Sequence, residues 1–306
     1  MTPEEFGQRL DSNPIVLDGG LATSLENAGA DISGSLWSAR VLRDSPEEIR
    51  AAHGRFITAG ADVIITASYQ VSRRGVIDVG GSAAQADELL IRSIEIARES
   101  VGAAGLATLV AASVGPYGAT NHDGSEYRGR YGVSQKTLID FHRERLEVLL
   151  AANPDLLAIE TIPDLDEVLA LIEVLADHRD VAAWVSLTTL DGATTCAGQA
   201  LAEVAAALGE APSVVAVGVN CSAPSVVSTA LQALGKHGSR LLAYPNAGQT
   251  WHSETETWSG PAEPVLPTQL INEWLDLGAR AVGGCCGVDS IGVSALAGDV
   301  AGWHSD

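Results

Sequence analysis

Eight short apolar or β-branched runs recur along the chain, each followed by a segment of helical pattern, and this alternation confines the fold to a parallel sheet with helical crossovers. The runs are Ile15–Gly19, Asp62–Ala67, Ala107–Gly115, Leu156–Ile162, Val181–Thr188, Val214–Cys221, Arg240–Pro245 and Ala281–Cys285. Each reads as a strand. Eight strand-then-helix units are what a closed (α/β)8 barrel of the TIM type requires, with a doubly wound open sheet as the alternative.

Helix boundaries are marked in several places. Ser45-Pro46-Glu47-Glu48 reads as a capping box with proline at the first helical position, and Asp164 with Glu167 repeats the spacing before Val168–Leu175. Gly60, Gly238 and Gly278 stand where a left-handed residue would end a helix before the next strand, and Asp289 or Ser290 is placed to cap the last helix. The longer loops, Gly20–Arg43, Gly115–Val133 and Asn246–Pro264, all follow strands. In a barrel they would gather on the C-terminal face, where catalysis occurs.

Residues 1–306 are expected to form one domain, because barrels of this kind reach about 250 residues as a single unit and no composition break divides the chain. A formal net charge of −21 disfavours nucleic acid, whose phosphates need a basic face; it suits a cationic substrate or a merely solvated acidic surface. The uncharged stretches Gly102 to His122 and Ala211 to Gly235 are interrupted by Pro, Gly, Asn and Ser, so no membrane span is expected. The start, Met1-Thr2-Pro3-Glu4-Glu5, lacks the basic residues and apolar run of a signal peptide and points to the cytoplasm. Oligomeric state is left open.

Four cysteines, two of them adjacent, do not make a disulfide framework. Cys221 closes the sixth expected strand and Cys285-Cys286 the eighth. In a barrel those strand ends share one rim, so three thiolates could meet over the mouth and hold one Zn²⁺ at about 2.3 Å, leaving a fourth position open. Small buried cysteines without a metal are the plain alternative. The glycines in Gly283-Gly284-Cys285-Cys286-Gly287 favour the first reading, since they free the backbone to turn both sulfurs inward.

Leu17-Asp18-Gly19-Gly20, Leu36-Trp37-Ser38-Ala39, Ile65-Thr66-Ala67-Ser68-Tyr69-Gln70, Gly115-Pro116-Tyr117-Gly118-Ala119 and Asp123-Gly124-Ser125-Glu126-Tyr127-Arg128-Gly129 resemble the homocysteine S-methyltransferase family. So do Ile159-Glu160-Thr161, Gly218-Val219-Asn220-Cys221, Tyr244-Pro245-Asn246-Ala247-Gly248 and the Gly283–Gly287 string, in order, from about Ile15 to Gly287. The resemblance implies zinc held by Cys221, Cys285 and Cys286, binding the thiol of homocysteine, which accepts a methyl group to form methionine. A metal-bound thiol is deprotonated outright, whereas a free one has a pKa near 8.5.

The resemblance further implies that Asp18 and Glu160 contact the homocysteine ammonium group and that Asn220 belongs to the substrate site. A turn residue and a buried ion pair are the plain readings of the two carboxylates. Cys196 matches no ligand position of the family and reads as a free thiol, and His122, His142, His252 and the other histidines read as solvated. Trp37, Trp251 and Trp258 fall in loops after strands, where they would pack the loops down or face a cationic donor. Arg130 stands where the family pattern leads one to expect an acidic residue, and Val288-Asp289-Ser290 replaces its usual threonines and proline.

The branch resembled uses a sulfonium donor, S-methylmethionine or S-adenosylmethionine. The alternatives are a betaine-using or selenol-preferring methyltransferase of the same family and a non-catalytic zinc- or thiol-binding barrel. A chain of this length leaves no room for the extra domains of folate- and cobalamin-dependent methionine synthesis. Small molecules, with neither nucleic acid nor membrane, are the expected partners.

Overall fold

The computed structural model describes residues 1–32, 37–121, 123–252 and 257–304, without the side chains at 37, 38, 237, 250–252, 257 and 258. Ten strands are present among these residues: β1 (Ile15–Val16), β2 (Val63–Ile65), β3 (Leu109–Val114), β4 (Leu156–Ile162), β5 (Ala183–Leu187), β6 (Val214–Asn220), β7 (Arg240–Tyr244), β8 (Thr250–His252), β9 (Thr257–Ser259) and β10 (Ala279–Val282). All but β8 and β9 form one parallel sheet in the order β1-β10-β7-β6-β5-β4-β3-β2. Its two ends meet, because Leu17 bridges Val63 in parallel and the Asp18 N–H donates to the Val63 carbonyl at 3.1 Å. The sheet is therefore the closed eight-stranded barrel that the alternation requires.

Strands buried on both faces need continuous apolar runs, and β4 supplies one with all seven residues buried. Inside the barrel Leu17, Val63, Ala158, Trp184, Leu242 and Ala281 fill the axis, while a larger apolar layer lies between the strands and the outer helices. Helix Pro3–Ser12 sends Phe6 and Leu10 into the interior cluster, with the Phe6 and Trp184 rings 6.3 Å apart. It closes the end of the barrel opposite the site. Its start is a full capping box from Thr2 to Glu5 with proline at N1, a marker the acidic composition of this segment obscures.

Three expectations at element boundaries need correction. The eighth barrel strand is β10, Ala279–Val282, so it starts and ends earlier than Ala281–Cys285, and Cys285 and Cys286 lie in the turn beyond it. Only glycine fits just past the strand: a Cβ at Gly283 would sit 2.6 Å from Leu17 Cβ, and one at Gly284 2.3 Å from Val288 Cγ1. Helix Pro46–Thr58 begins where Ser45-Pro46 predicts, yet Ser45 makes no capping bond, because its ψ of 59° is not the extended conformation a cap needs. Asp164 does cap Leu165–Leu175, through the Asp166 N–H at 3.1 Å, but Glu167 turns inward instead of completing a box. Asp289 caps the last helix, and Gly60, Gly238 and Gly278 all take positive φ as expected.

The loop Asn246–Pro264 carries an addition the sequence does not announce, an antiparallel hairpin of β8 and β9 that pairs Trp251 with Trp258. Strands of three residues are too short for alternation to be read. The readings of His122 and of the side chains of Trp37, Trp251, Trp258 and His252 fall outside the described residues. Among the described residues no helix is long and apolar enough to cross a membrane.

Candidate active site and metal centre

Three thiols converge at the C-terminal mouth of the barrel. The Sγ atoms of Cys221, Cys285 and Cys286 all lie within 4.8 Å of one another, and Cys221 and Cys286 are 3.6 Å apart. Each is placed by its local backbone. Cys221 follows β6 directly and takes a φ of 47°, while Cys285 is tied to the end of the neighbouring strand β7 by its N–H to the Pro245 carbonyl at 2.8 Å. The close approach of Cys285 and Cys286 holds the Cys221 thiol well below its ordinary value, while the other two are pushed up. The cluster thus has one thiol primed to ionise first. Cys196 stands apart, donating to the Thr188 carbonyl at 3.4 Å, and burial raises its thiol to about 11.

A pocket of about 120 Å³ opens beside the cluster, and the carboxylates of Asp18, Glu126 and Glu160 line it together with Tyr69, Tyr127 and Asn220. Asp18 is 2% exposed; its Oδ2 accepts from the Ile65 N–H at 2.8 Å, while Oδ1 has no partner among the described residues. Burial pushes its carboxyl well above the usual range, and nearby Glu160 adds to the shift. Glu160, at the end of β4, accepts from Ser113 Oγ at 2.5 Å and is pushed up to about 7, again by burial. Glu126 is likewise raised to about 7 by burial. Burial favours their neutral forms, and a cation entering the pocket would favour the ionised ones.

Asn220 reaches the same pocket, but its amide is committed to the protein. Its Oδ1 accepts from the Thr161 N–H at 2.7 Å and from Ser186 Oγ at 2.8 Å, and its Nδ2 donates to Thr161 Oγ1 at 2.8 Å. Thr161 needs that support. A β-branched residue at its φ of 62° is a conformational outlier. Replacing Asn220 by Ala is expected to lower the unfolding free energy by about 2 kcal/mol, since it orphans buried polar groups and releases a strained residue. A urea midpoint equal to that of the unaltered protein would show that the amide is dispensable.

The loop after β3 is fixed by a buried polar network. Glu167 accepts from the Tyr117 N–H at 2.6 Å, from Tyr131 Oη at 2.9 Å, and pairs with His142 Nε2 at 2.9 Å. Arg145 donates to the carbonyls of Gly115 and Tyr69, each at 2.9 Å, joining the ends of β3 and β2. His142 is therefore not solvated as its scattered position suggested, and neither is His53, for both are fully buried. Held this way, the loop brings the Tyr127 hydroxyl to 3.2 Å from Cys221 Sγ. Tyr127 and Glu126 lie in a motif visible in the sequence, yet nothing in their spacing marks them as part of the cysteine site. Arg130 points elsewhere: its N–H donates to Asp164 Oδ2 at 2.7 Å and its guanidinium to the Ala197 carbonyl.

A closed βα barrel with three thiols and buried carboxylates gathered at its C-terminal mouth has the architecture of a barrel enzyme. The family model for homocysteine S-methyltransferase matches residues 15–300. Homocysteine S-methyltransferase YbgG of Bacillus subtilis is 40% identical over 288 residues, covering 90% of this chain and 91% of its own. The Escherichia coli homocysteine S-methyltransferase is 42% identical over 293 residues, covering 92% and 94%. The crystal structure of the homocysteine methyltransferase MmuM from Escherichia coli in its metallated form superposes with a TM-score of 0.83 at 40% identity, covering 94% of this chain and 96% of that one. The chain belongs to the homocysteine S-methyltransferase family, and it is an enzyme that methylates homocysteine.

Proposed function

We propose that this enzyme transfers a methyl group from a sulfonium compound, S-methylmethionine first and S-adenosylmethionine second, to the thiol of homocysteine, with zinc held by Cys221, Cys285 and Cys286. The observation that carries the reading is the convergence of those three thiols on a pocket walled by Asp18 and Glu160. The donor set suits zinc, since tetrahedral Zn–S bonds of about 2.3 Å set sulfurs about 3.8 Å apart, close to the 3.6 Å between Cys221 and Cys286. The MmuM form named as metallated supports a metal in the same fold. When bound, zinc supplies the Lewis acidity that keeps an acceptor thiol as thiolate at neutral pH.

The chain's own residues supply the rest. Asp18 and Glu160 take the acceptor's ammonium group, which gives the partnerless Asp18 Oδ1 a donor and offsets the burial of both carboxylates. Asn220 keeps the end of β4 in place through Thr161 and so positions Glu160. Tyr69 and Tyr127 shield the cluster from water. The thiol proton leaves before transfer; then the acceptor sulfur forms its new bond to carbon as the carbon–sulfur bond of the donor breaks, and a neutral thioether departs. We take residues 1–306 as one barrel domain acting on these small molecules.

Charge favours the sulfonium over betaine. Betaine carries its carboxylate one carbon from the reacting nitrogen, so it would bring an anion among Asp18, Glu126 and Glu160, and no lysine or arginine lines the pocket among the described residues. Transfer from a sulfonium also annihilates charge in a desolvated site and releases the better leaving group. With homocysteine saturating, kcat/KM is expected to rank S-methylmethionine above S-adenosylmethionine and both above betaine. A betaine value equal to or above both sulfonium values would overturn the donor assignment while leaving thiol methylation intact.

A further inference from the structure

One carboxylate in the pocket is not needed by the acceptor. Glu126 stands on the short turn Ser125–Tyr127 after β3, beside the tyrosine that contacts Cys221. It is only 5% exposed, it lines the pocket, and its Oε2 is buried without a hydrogen-bond partner among the described residues. Neighbouring Arg128 does not neutralise it by contact, for that guanidinium is largely exposed and is directed at Asp123, 3.5 Å away. Nor do residues 33–36, 122, 253–256, 305 and 306 include a lysine or arginine. A buried carboxylate oxygen left in this state is costly unless something positive enters with the substrates.

Asp18 and Glu160 match the single ammonium of homocysteine, so the remaining charge calls for a second cation. We propose that Glu126 receives the positive onium group of the methyl donor and sets the enzyme's preference for a donor of net positive charge. The proposal rests on the sulfonium reading above. Its position near the cluster agrees with the geometry of transfer, since the reacting methyl must approach the acceptor sulfur at the same end of the pocket. Much of the onium charge is still present at the transition state, so Glu126 stabilises the bound donor and the transition state about equally. Its loss is therefore expected to raise the donor KM while leaving kcat nearly unchanged.

The test uses the metal-loaded enzyme at saturating homocysteine and two ligands that differ in one charge: S-methylmethionine and 2-amino-5-methylhexanoate, in which a neutral CH replaces the sulfonium. The latter is measured as a competitive inhibitor against the donor. In Glu126→Gln the donor KM is expected to rise at least about tenfold, the size of a lost charge-assisted contact, while the inhibitor constant of the neutral analogue, the homocysteine KM and the metal content stay within about twofold. Glu126→Asp, which keeps the charge, should restore most of the discrimination. An unchanged ratio between the charged and neutral ligands overturns the proposal, and so does a Glu126→Gln variant that loses metal or homocysteine affinity in step with donor affinity, which would assign Glu126 to supporting Tyr127. A failure of the donor reading would appear separately, as betaine preference in the unaltered enzyme.

Discussion

Cys285→Ala is expected to leave the purified protein with little bound metal and to lower turnover by at least about 10³-fold, the equivalent of roughly 4 kcal/mol of lost transition-state stabilisation. The three sulfurs lie within 4.8 Å of one another. Cys221 is fixed by its positive φ and by its N–H to the Tyr244 carbonyl at 3.2 Å, and Cys285 by the Pro245 carbonyl. Two remaining thiols give an incomplete ligand set for a catalytic zinc site, which takes three protein ligands. Cys285 also lies within 4.8 Å of Cys221 and helps hold its thiol low, so its removal withdraws one of the neighbours that favour the Cys221 thiolate. Cys196→Ala serves as the control, because that sulfur donates to Thr188 and lies outside the cluster. Elemental analysis together with methionine formation decides the matter: a Cys285→Ala protein with unaltered metal content and activity sinks the metal assignment.

The barrel was legible because strands buried on both faces must be written as apolar runs, and Leu156–Ile162 is recovered residue for residue as β4. Strand ends were less legible where an apolar run outlasts the ladder. Gly283 and Gly284 continue an apolar run in the sequence and still bond the Ala243 and Asp18 carbonyls, but the ladder of β10 stops at Val282, at positions where any Cβ would strike Leu17 or Val288. Ser45 shows the converse, a motif whose local backbone takes it out of use. At the site, the cysteines could be read from their places at strand ends, since a βα barrel brings all such ends to one rim. Glu126, Tyr127 and the Glu167–His142 network could not, because their roles arise from a loop folding back over the mouth. Glu167 illustrates the difficulty: its spacing from Asp164 is that of a helix cap, and its carboxylate instead ties Tyr117, Tyr131 and His142 together.

Glu160→Gln is expected to raise the homocysteine KM by about ten- to a hundredfold without loss of metal, the range that follows from losing one charge-assisted hydrogen bond of about 1.5–3 kcal/mol. Glutamine keeps the shape and an oxygen for Ser113, so the walls of the pocket stay in place and only the charge that faces the ammonium is removed. The pH profile distinguishes this from a packing effect. Burial raises the Glu160 carboxyl to about 7, so in the free enzyme it is ionised above that pH and protonated below it. Only the ionised form attracts an ammonium, so homocysteine binding by the unaltered enzyme weakens as pH falls through 7, with each further unit leaving about a tenth as much carboxylate. Glu160→Gln should lack that limb, and its homocysteine KM should change less than that of the unaltered enzyme between pH 8 and pH 6, on the order of one pKa unit either side of 7. Asp18 does not replace it, since burial, the largest cause of its shift, still pushes its carboxyl well above the usual range. If Glu160→Gln instead lowers metal content and leaves the homocysteine KM unchanged, the residue supports the cysteine cluster and the ammonium assignment is wrong.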